Sequence, residues 1–519
     1  MLVLSIMANK TDIRILKNTV IIYIRMAVTI VVGLITSRLV LQALGASDVG
    51  IYSAVGSTVA LVGVISGALA GTTVRYLNIE LGKPDGDPNR MFNICHTIHL
   101  GGAALIFFFL ESVGLWYINT KLNVPAGKET DAMFVFQVST IVACLGIANV
   151  PFSSLFSVHE KFGTIAIVDI SNTLIKLGMV LLLLLIKDST YALRIYAVLM
   201  SITTWISFIA YHLMGKRRWP EIINWKWVKQ WSEYKDVLSF SNYNLLVSSA
   251  IIARSQGSNL LINAFFGTTT NAAYYYANML QNYVSQFVNN FDAASGPQIM
   301  QNVGSGHTDN AIRLARRSCR ICLVMFLFLL FPLWSELEFL MRLWLGSKMP
   351  LETVNMARWI LIYAASATTS AGQYQLINAF GRIKWYKIEV TILYALCLPI
   401  GYFLYKNGAP AYTIICCFAI ADVINRCIEY ILLHFQFHFD VWGFAKHAYL
   451  RPALISIIMI GYLFAYKSFA WTTFWGHAGG FLLTLSVTTV VIGLVGFNSE
   501  ERRKALAFVT RKFKEFRTR

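Results

Sequence analysis

Apolar residues along this chain gather into long runs, with short polar stretches between them. The runs lie at 18–43, 49–73, 91–118, 132–158, 163–186, 195–214, 237–266, 272–299, 322–341, 352–379, 385–405, 409–434, 452–471 and 477–497. As a helix, about 20 apolar residues span the hydrocarbon of a bilayer. Within that hydrocarbon a helix satisfies its own backbone polar groups. The pattern therefore predicts an all-α polytopic membrane protein with about 14 transmembrane helices.

The polar stretches alternate in positive charge. One set holds Lys10, Arg14 and Lys17, then Arg75, Lys83 and Arg90, then Lys216, Arg217, Arg218, Lys226, Lys229 and Lys235. Thirty of the 44 Lys and Arg residues fall on this set, counting the C-terminal tail; eight fall on the opposite set and six inside the runs. Cytoplasmic loops carry the excess of Lys and Arg, so both termini are expected in the cytoplasm with an even number of crossings between them. The first run is long, lacks a small-x-small cleavage pattern and contains Arg25, so it is expected to be retained rather than removed as a signal.

Composition agrees with a membrane protein. Hydrophobic residues make up 56% and charged residues 13%, with a mean hydropathy of +0.57, whereas soluble domains carry about 25% charge. No stretch between runs is longer than 215–236, which excludes a separate extramembrane domain. The net charge of +18 lies along one membrane face. Anionic lipid attracts charge placed there, so the expected partners are membrane lipids and not nucleic acid.

Stretch 215–236 carries Trp219, Trp225, Trp227 and Trp231 beside its lysines. Tryptophan is enriched at the headgroup layer, so we read an interfacial helix joining two six-run halves. A repeat supports the division. Gly45 to Tyr52 follows run one and Gly267 to Tyr274 follows run seven, each with six residues between glycine and tyrosine. The expected units are a first lobe at 1–214, the linker at 215–236, a second lobe at 237–434, two further spans at 435–497 and a basic tail at 498–519. Leu506, Phe508, Val509, Phe513 and Phe516 in the tail suggest a surface-lying helix.

Polar residues inside the runs are the candidate functional positions, because a charge in hydrocarbon usually faces the bundle interior or water. Run one carries Asn18, Arg25, Thr29 and Thr36 on one helical face. Arg38 lies about 220° round the same helix from Arg25, so a straight face cannot hold both. Run five carries Asp169, Asn172, Thr173 and Lys176, with Asp169 and Lys176 two turns apart and able to neutralise each other. Run seven carries Asn244, Ser248, Arg254, Ser255, Asn259 and Asn263. Run eight carries Asn278, Asn282, Ser285, Asn289, Asp292 and Gly296, a row about 27 Å long at 1.5 Å per residue. Such a row is either interhelical glue, at about 0.6 kcal/mol per hydrogen bond, or the wall of a wet cavity; its length favours the cavity. In run twelve Asp422, Asn425, Arg426 and Glu429 read as a structural network, and run ten ends in Ser366, Thr368, Thr369, Ser370, Gln373 and Gln375.

Enzyme chemistry finds little purchase here. The chain has no GxxxxGK[ST] phosphate loop. Its lone C-x-x-C, Cys319 and Cys322, has no second pair and reads as packing. The short stretch 119–131 offers only Glu129 and Asp131 beside lysines as catalytic acids. The expectation is a non-enzyme without a cofactor. If transport is coupled to protons or sodium ions, Asp169 and Asp292 are the candidate acids.

The opening residues narrow the class. Asn18-Thr19, Tyr23, Arg25, Thr36-Ser37-Arg38, Leu44-Gly45 and Asp48-x-Gly50-Ile51-Tyr52, followed by Arg75-Tyr76-Leu77 and Glu80-Leu81-Gly82, resemble the polysaccharide-transporter (O-antigen flippase, Wzx-type) branch of the MOP superfamily. The resemblance implies two six-helix lobes around a central V-shaped cavity and two additional C-terminal helices, in a bacterial cytoplasmic (inner) membrane. It implies alternating access for an undecaprenyl-pyrophosphate-linked oligosaccharide, in a pathway shared with glycosyltransferases and a glycan polymerase. It also implies that basic residues of spans one and seven, here Arg25, Arg38 and Arg254, face the cavity. Guanidinium groups bind phosphate oxygens in bidentate fashion. The candidate cavity set is therefore Arg25, Arg38, Arg254, Lys176, Asn259, Asn282 and Asn289. The rival readings are a MATE-type cation-coupled drug antiporter on the same fold and a membrane glycosyltransferase or polymerase.

Overall fold

The computed structural model describes residues 10–497 except 61–62, 83–84, 160, 186–190, 381–383, 438 and 470. The side chains of 10–24, 63–68, 239–253 and scattered single positions, Asn18, Asn244 and Ser248 among them, lie outside the description. The tail at 498–519, with its expected surface helix, also lies outside the described residues.

Among the described residues the chain is helical and has no strand. In the first half the helices are α1 Lys10–Ala60, α2 Gly63–Gly82, α3 Pro88–Phe109, α4 Leu115–Thr120, α5 Glu129–Val158, α6 Phe162–Leu185 and α7 Ala192–Arg218. A short α8, Pro220–Ile223, leads to α9 at Trp231–Gly304. The second half continues as α10 Thr308–Ser335, α11 Leu337–Leu345, α12 Thr353–Thr368, α13 Gln373–Phe380, α14 Lys384–Lys406 and α15 Thr413–Phe437. Two further helices follow, α16 Val441–Tyr466 and α17 Phe474–Val491. Each of the fourteen apolar runs falls largely on helix. Among the described residues, nine helical segments are long and apolar enough to cross a membrane. α12 misses that standard at 16 residues, and α15 carries Asp422, Arg426 and Glu429 within two turns.

The glycine repeat has a conformational cause. Gly45 sits at φ 79°, ψ 169° inside α1, and Gly267 at φ 77°, ψ −173° inside α9. That backbone region is essentially closed to residues with a Cβ. Each glycine therefore reverses one long helical stretch into the next. The two hinges also touch, since a Cβ on Gly50 would lie 1.8 Å from the Thr268 carbonyl oxygen.

Two expectations are corrected. The linker is not one interfacial helix: α8 has four residues, and 225–230 carries no helix. Asn89 Nδ2 donates to the Ile222 carbonyl at 2.8 Å and the Asn224 carbonyl at 2.7 Å, and Lys226 N donates to Asn93 Oδ1 at 3.1 Å. Side-chain amides of α3 thus take up the linker backbone in place of a helical ladder, and Trp225, Trp227 and Trp231 remain exposed. The second correction concerns run nine, whose helix begins at Thr308 rather than 322. Ala311, Ala315, Cys319 and Leu323 recur every four residues and are buried, giving the arginine-bearing segment an apolar face that an apolar-run criterion overlooks.

The added helices α16 and α17 rest on α10 through Val324, Leu327, Phe331, Ile455, Met459 and Ile492. In the first half, aromatic packing of Phe92, Phe152, Phe156 and Tyr211 closes the end near the linker.

Candidate functional site

A hollow of about 750 Å³ opens in the first half, with α9 as its far wall. α1 contributes Thr29, Gly33 and Thr36, α6 contributes Thr173 and Lys176, and α7 contributes Ser201 and Thr204. Across from them, α9 presents Tyr275, Met279 and Tyr283. The Thr29–Thr36 face of span one and the Thr173–Lys176 face of span five, both visible as helical periodicity, thus meet across one space. Among the described lining residues Lys176 is the one charged side chain, and it is exposed to that space.

Arg25 lies one turn before Thr29, and its Nη1 donates to Asp169 Oδ2 at 2.8 Å. Asp169 lies one turn before Thr173. The ion pair therefore sits toward the chain-terminal end of the hollow, with both side chains partly accessible. The direct bond of Asp169 thus goes to Arg25, while its charge still acts on Lys176, as the two-turn spacing suggested. A partner on another helix, invisible to within-helix spacing, takes the carboxylate and leaves the Lys176 ammonium to the hollow.

The remaining candidates lie elsewhere. Arg38 Nη1 donates to the Leu343 carbonyl at 2.8 Å, where α11 ends with unsatisfied carbonyls that favour a cation. Trp344 Nε1 donates back to the Leu34 carbonyl at 2.9 Å, and Lys348 Nζ donates to the Gln42 carbonyl at 2.6 Å. These bonds join the two halves at the hinge-glycine end. Buried Asn259 donates to Ser53 Oγ at 2.9 Å and to Ser57 Oγ. Asn263 and Asn123 bond reciprocally, Asn123 N to Asn263 Oδ1 at 2.9 Å and Asn263 Nδ2 to the Asn123 carbonyl at 3.1 Å.

Arg254 lies in an aromatic cage in the second half. Its guanidinium carbon stands 4.9 Å from the ring centroids of both Tyr363 and Tyr394 and 5.8 Å from that of Phe418. Behind it, Tyr394 donates to Asp422 at 2.5 Å. Asp292 accepts from Gly372 N at 2.7 Å and Gln375 Nε2 at 3.2 Å. Asn282 and Asn289 are exposed. At 100° per residue, the Tyr275–Met279–Tyr283 wall lies roughly 100° round α9 from the amide row. The row therefore lies to one side of the hollow, and Tyr275 and Tyr283, which line it, are not among the candidate residues of the sequence analysis. Their signal was a four-residue spacing of Tyr, Met and Tyr among residues read as apolar.

At the hinge-glycine end Lys128 bonds Asp48 at 2.9 Å and lies 3.5 Å from Asp131, which Arg194 also holds at 2.5 Å. Burial alone draws the Lys128 ammonium down. The hydrogen bond and charge of Asp48, with those of Asp131, outweigh it and leave Lys128 above its ordinary value. Both members of the Cys319–Cys322 pair are buried and unbridged.

This architecture, long helical stretches reversed at twin glycine hinges beside a hollow, is similar in fold to solved flippase and multidrug-transporter structures. The lipid II flippase MurJ in an inward closed conformation matches with TM-score 0.67 at 14% identity, covering 91% of this chain and 98% of that one. An inward-facing multidrug resistance MATE family transporter of the MOP superfamily matches with TM-score 0.61 at 12% identity, covering 80% and 96%. The MATE multidrug transporter DinF-BH matches with TM-score 0.55 at 15% identity, covering 82% and 95%. At these identities the likeness is one of fold. No protein-family model and no curated protein sequence matches the chain.

Proposed function

We propose that the protein is a flippase that moves a lipid-linked, pyrophosphate-bearing oligosaccharide across the cytoplasmic membrane by alternating access, the undecaprenyl-linked repeat unit of a surface glycan being the cargo. The observation that carries this reading is the character of the hollow, where one ammonium with no carboxylate in bonding reach among the described residues shares the walls with threonine, serine and tyrosine hydroxyls and small apolar side chains. An ammonium is a phosphate ligand acting as a point charge. Threonine, serine and tyrosine hydroxyls replace water on sugar hydroxyls. Lys176 receives the phosphate in this reading, and the Arg25–Asp169 pair guards the entry at the chain-terminal end.

The bonds at the hinge-glycine end give the reading its gate. Arg38 to Leu343, Trp344 to Leu34, Lys348 to Gln42 and the Asn123–Asn263 pair hold that end shut. Net worth is about 0.5–1.5 kcal/mol per hydrogen bond, so the seam is of the few-kcal/mol size that a bound ligand can tip. Opening it would free Arg38, which then joins the cavity set from the other side. Arg254, Asn259, Asn282 and Asn289 serve the second wall of that open state, and Asp292 with Asp169 remain the acids for ion coupling. Pathway glycosyltransferases supply the cargo. A drug antiporter on the same fold needs a hollow that welcomes organic cations, and an exposed ammonium opposes them.

The test is transport by the purified full chain in vesicles. Two cargoes are compared: a fluorescent prenyl-pyrophosphate oligosaccharide, scored by its access to a membrane-impermeant quencher, and a fluorescent organic cation. The proposal expects flipping of the first and no ion-driven uptake of the second. Uptake of the cation without flipping of the lipid would replace the flippase by the antiporter, and a new glycosidic bond would bring back the enzyme reading.

A further inference from the structure

We propose that a second cavity, at the hinge-glycine end where α10, α11 and α12 meet the added helices α16 and α17, is a seat for the phosphate of a lipid headgroup. Its volume is about 670 Å³, and its walls carry Arg342, Arg358 and Lys467 beside Trp334, Phe339 and Trp471. The seat lies outside the transport hollow and does not depend on which cargo that hollow takes.

Charge bookkeeping within the cavity favours an anion. Its floor acid, Glu336, is buried and already occupied: Tyr466 donates to Oε1, and His477 Nδ1 lies 2.6 Å from Oε2. Glu338 is bound by Arg342 at 2.9 Å. That leaves the Arg358 guanidinium and the Lys467 ammonium exposed, with no carboxylate partner among the described residues. Arg358 stands in α12 and Lys467 just after α16, so each belongs to a separately packed helix. A guanidinium and an ammonium converging on one space suit phosphate oxygens.

The surroundings favour a lipid as the bearer of that phosphate. Trp475 is 82% exposed, Phe469 57% and Phe474 51%, all on the connection and helix start beside the cavity. Exposed aromatic residues at the ends of spans sit at headgroup depth. A phosphate held at the mouth can therefore keep its acyl chains in the bilayer beside α16 and α17. The positive-inside count puts this end in the outer leaflet.

Native mass spectrometry of the full chain in detergent, titrated with phosphatidylglycerol, tests the seat. The Arg358→Gln/Lys467→Gln double variant should need at least about tenfold more lipid for the same occupancy, since it removes both charge-assisted contacts to the phosphate. Lys406→Gln, which changes another cation at the same end, should bind as the parent does. Unchanged occupancy in the double variant overturns the proposal. Full displacement of the lipid by an equal concentration of soluble glycerol phosphate overturns the lipid part, because it makes the site a receptor for a free phosphate. If the double variant melts early, Lys467→Gln alone is read by the same titration with the same two outcomes, since that side chain is exposed and its one ring contact, with Phe464 at 5.9 Å, lies at the surface.

Discussion

The two halves share a hinge but use their interiors differently. Gly45 and Gly267 hold nearly the same backbone angles, and each joins two membrane-length stretches. In the first half the polar faces of α1, α6 and α7 look onto open space and Lys176 ends in it. In the second half the polar side chains look at one another. Arg254 is caged by three rings, Asp422 is held by Tyr394 and Ser366, Glu429 takes Arg426 and Gln373, and Asp292 takes Gly372 and Gln375. Polar residues in a membrane bundle therefore carry two meanings. They mark a pathway where helices stand apart, and they fix helix register where side chains interlock.

The largest expected effect comes from fastening the halves together. Ser47 Oγ lies 3.4 Å from Thr268 Oγ1 across the hinge-glycine seam. In a background with the native cysteines replaced, Ser47→Cys/Thr268→Cys should abolish lipid flipping when oxidised and recover it with reductant. Flipping that persists with the bridge formed would mean that the seam is not a gate.

Breaking the second-half network should cost stability and spare selectivity. Arg426→Gln leaves Glu429 buried without its ion partner, a change of about 3–5 kcal/mol. Thermal melting in detergent reads it, and cargo preference per folded molecule should not move. A shifted preference at unchanged melting would transfer the pathway to the second half.

Glycines in the two interiors sharpen the contrast at smaller scale. A Cβ on Gly146, lining the hollow, would meet no atom within 4 Å, whereas one on Gly257 would come 2.8 Å from Leu398 Cδ1. Gly257→Ala should destabilise by about 1–3 kcal/mol through overpacking. Gly146→Ala should be neutral or stabilising by up to about 1 kcal/mol through helix propensity. Equal melting shifts would erase the distinction between an open and a filled half.

Lys128→Gln should show the smallest effect, within about 1 kcal/mol because the site is partly exposed. The ammonium is held above its ordinary 10.5. Its contribution is thus fully present below that value and fades only as pH rises through the raised one. Melting of the parent and variant should differ by a constant amount from pH 6 to 9 and converge at higher pH; a gap that closes on acidification contradicts the assignment.

Much of this was readable before any coordinates. The fourteen runs, the twin glycine turns and the shared face of Thr29 and Thr36 follow from bilayer thickness, backbone sterics and 3.6-residue periodicity, all local properties. Sequence spacing also put Lys176 near a polar face. What spacing could not supply was the rotation of each helix against its neighbours. Asp169 found Arg25 on another helix, Arg38 found the end of α11, and the amide row of α9 came to lie beside the hollow while Tyr275 and Tyr283 turned in. The 220° between Arg25 and Arg38 already said that the two face different surroundings, but not which one would meet the hollow's edge.

The central claim is that the Lys176 ammonium receives the phosphate of the cargo. Flipping of a prenyl-pyrophosphate oligosaccharide in vesicles, measured for the parent, Lys176→Gln and Lys176→Arg, tests it most directly. The account predicts a loss of at least about tenfold for Lys176→Gln, equivalent to about 1.4 kcal/mol, with partial activity retained by Lys176→Arg. Equal rates for Lys176→Gln and the parent, at equal protein incorporation, would contradict it.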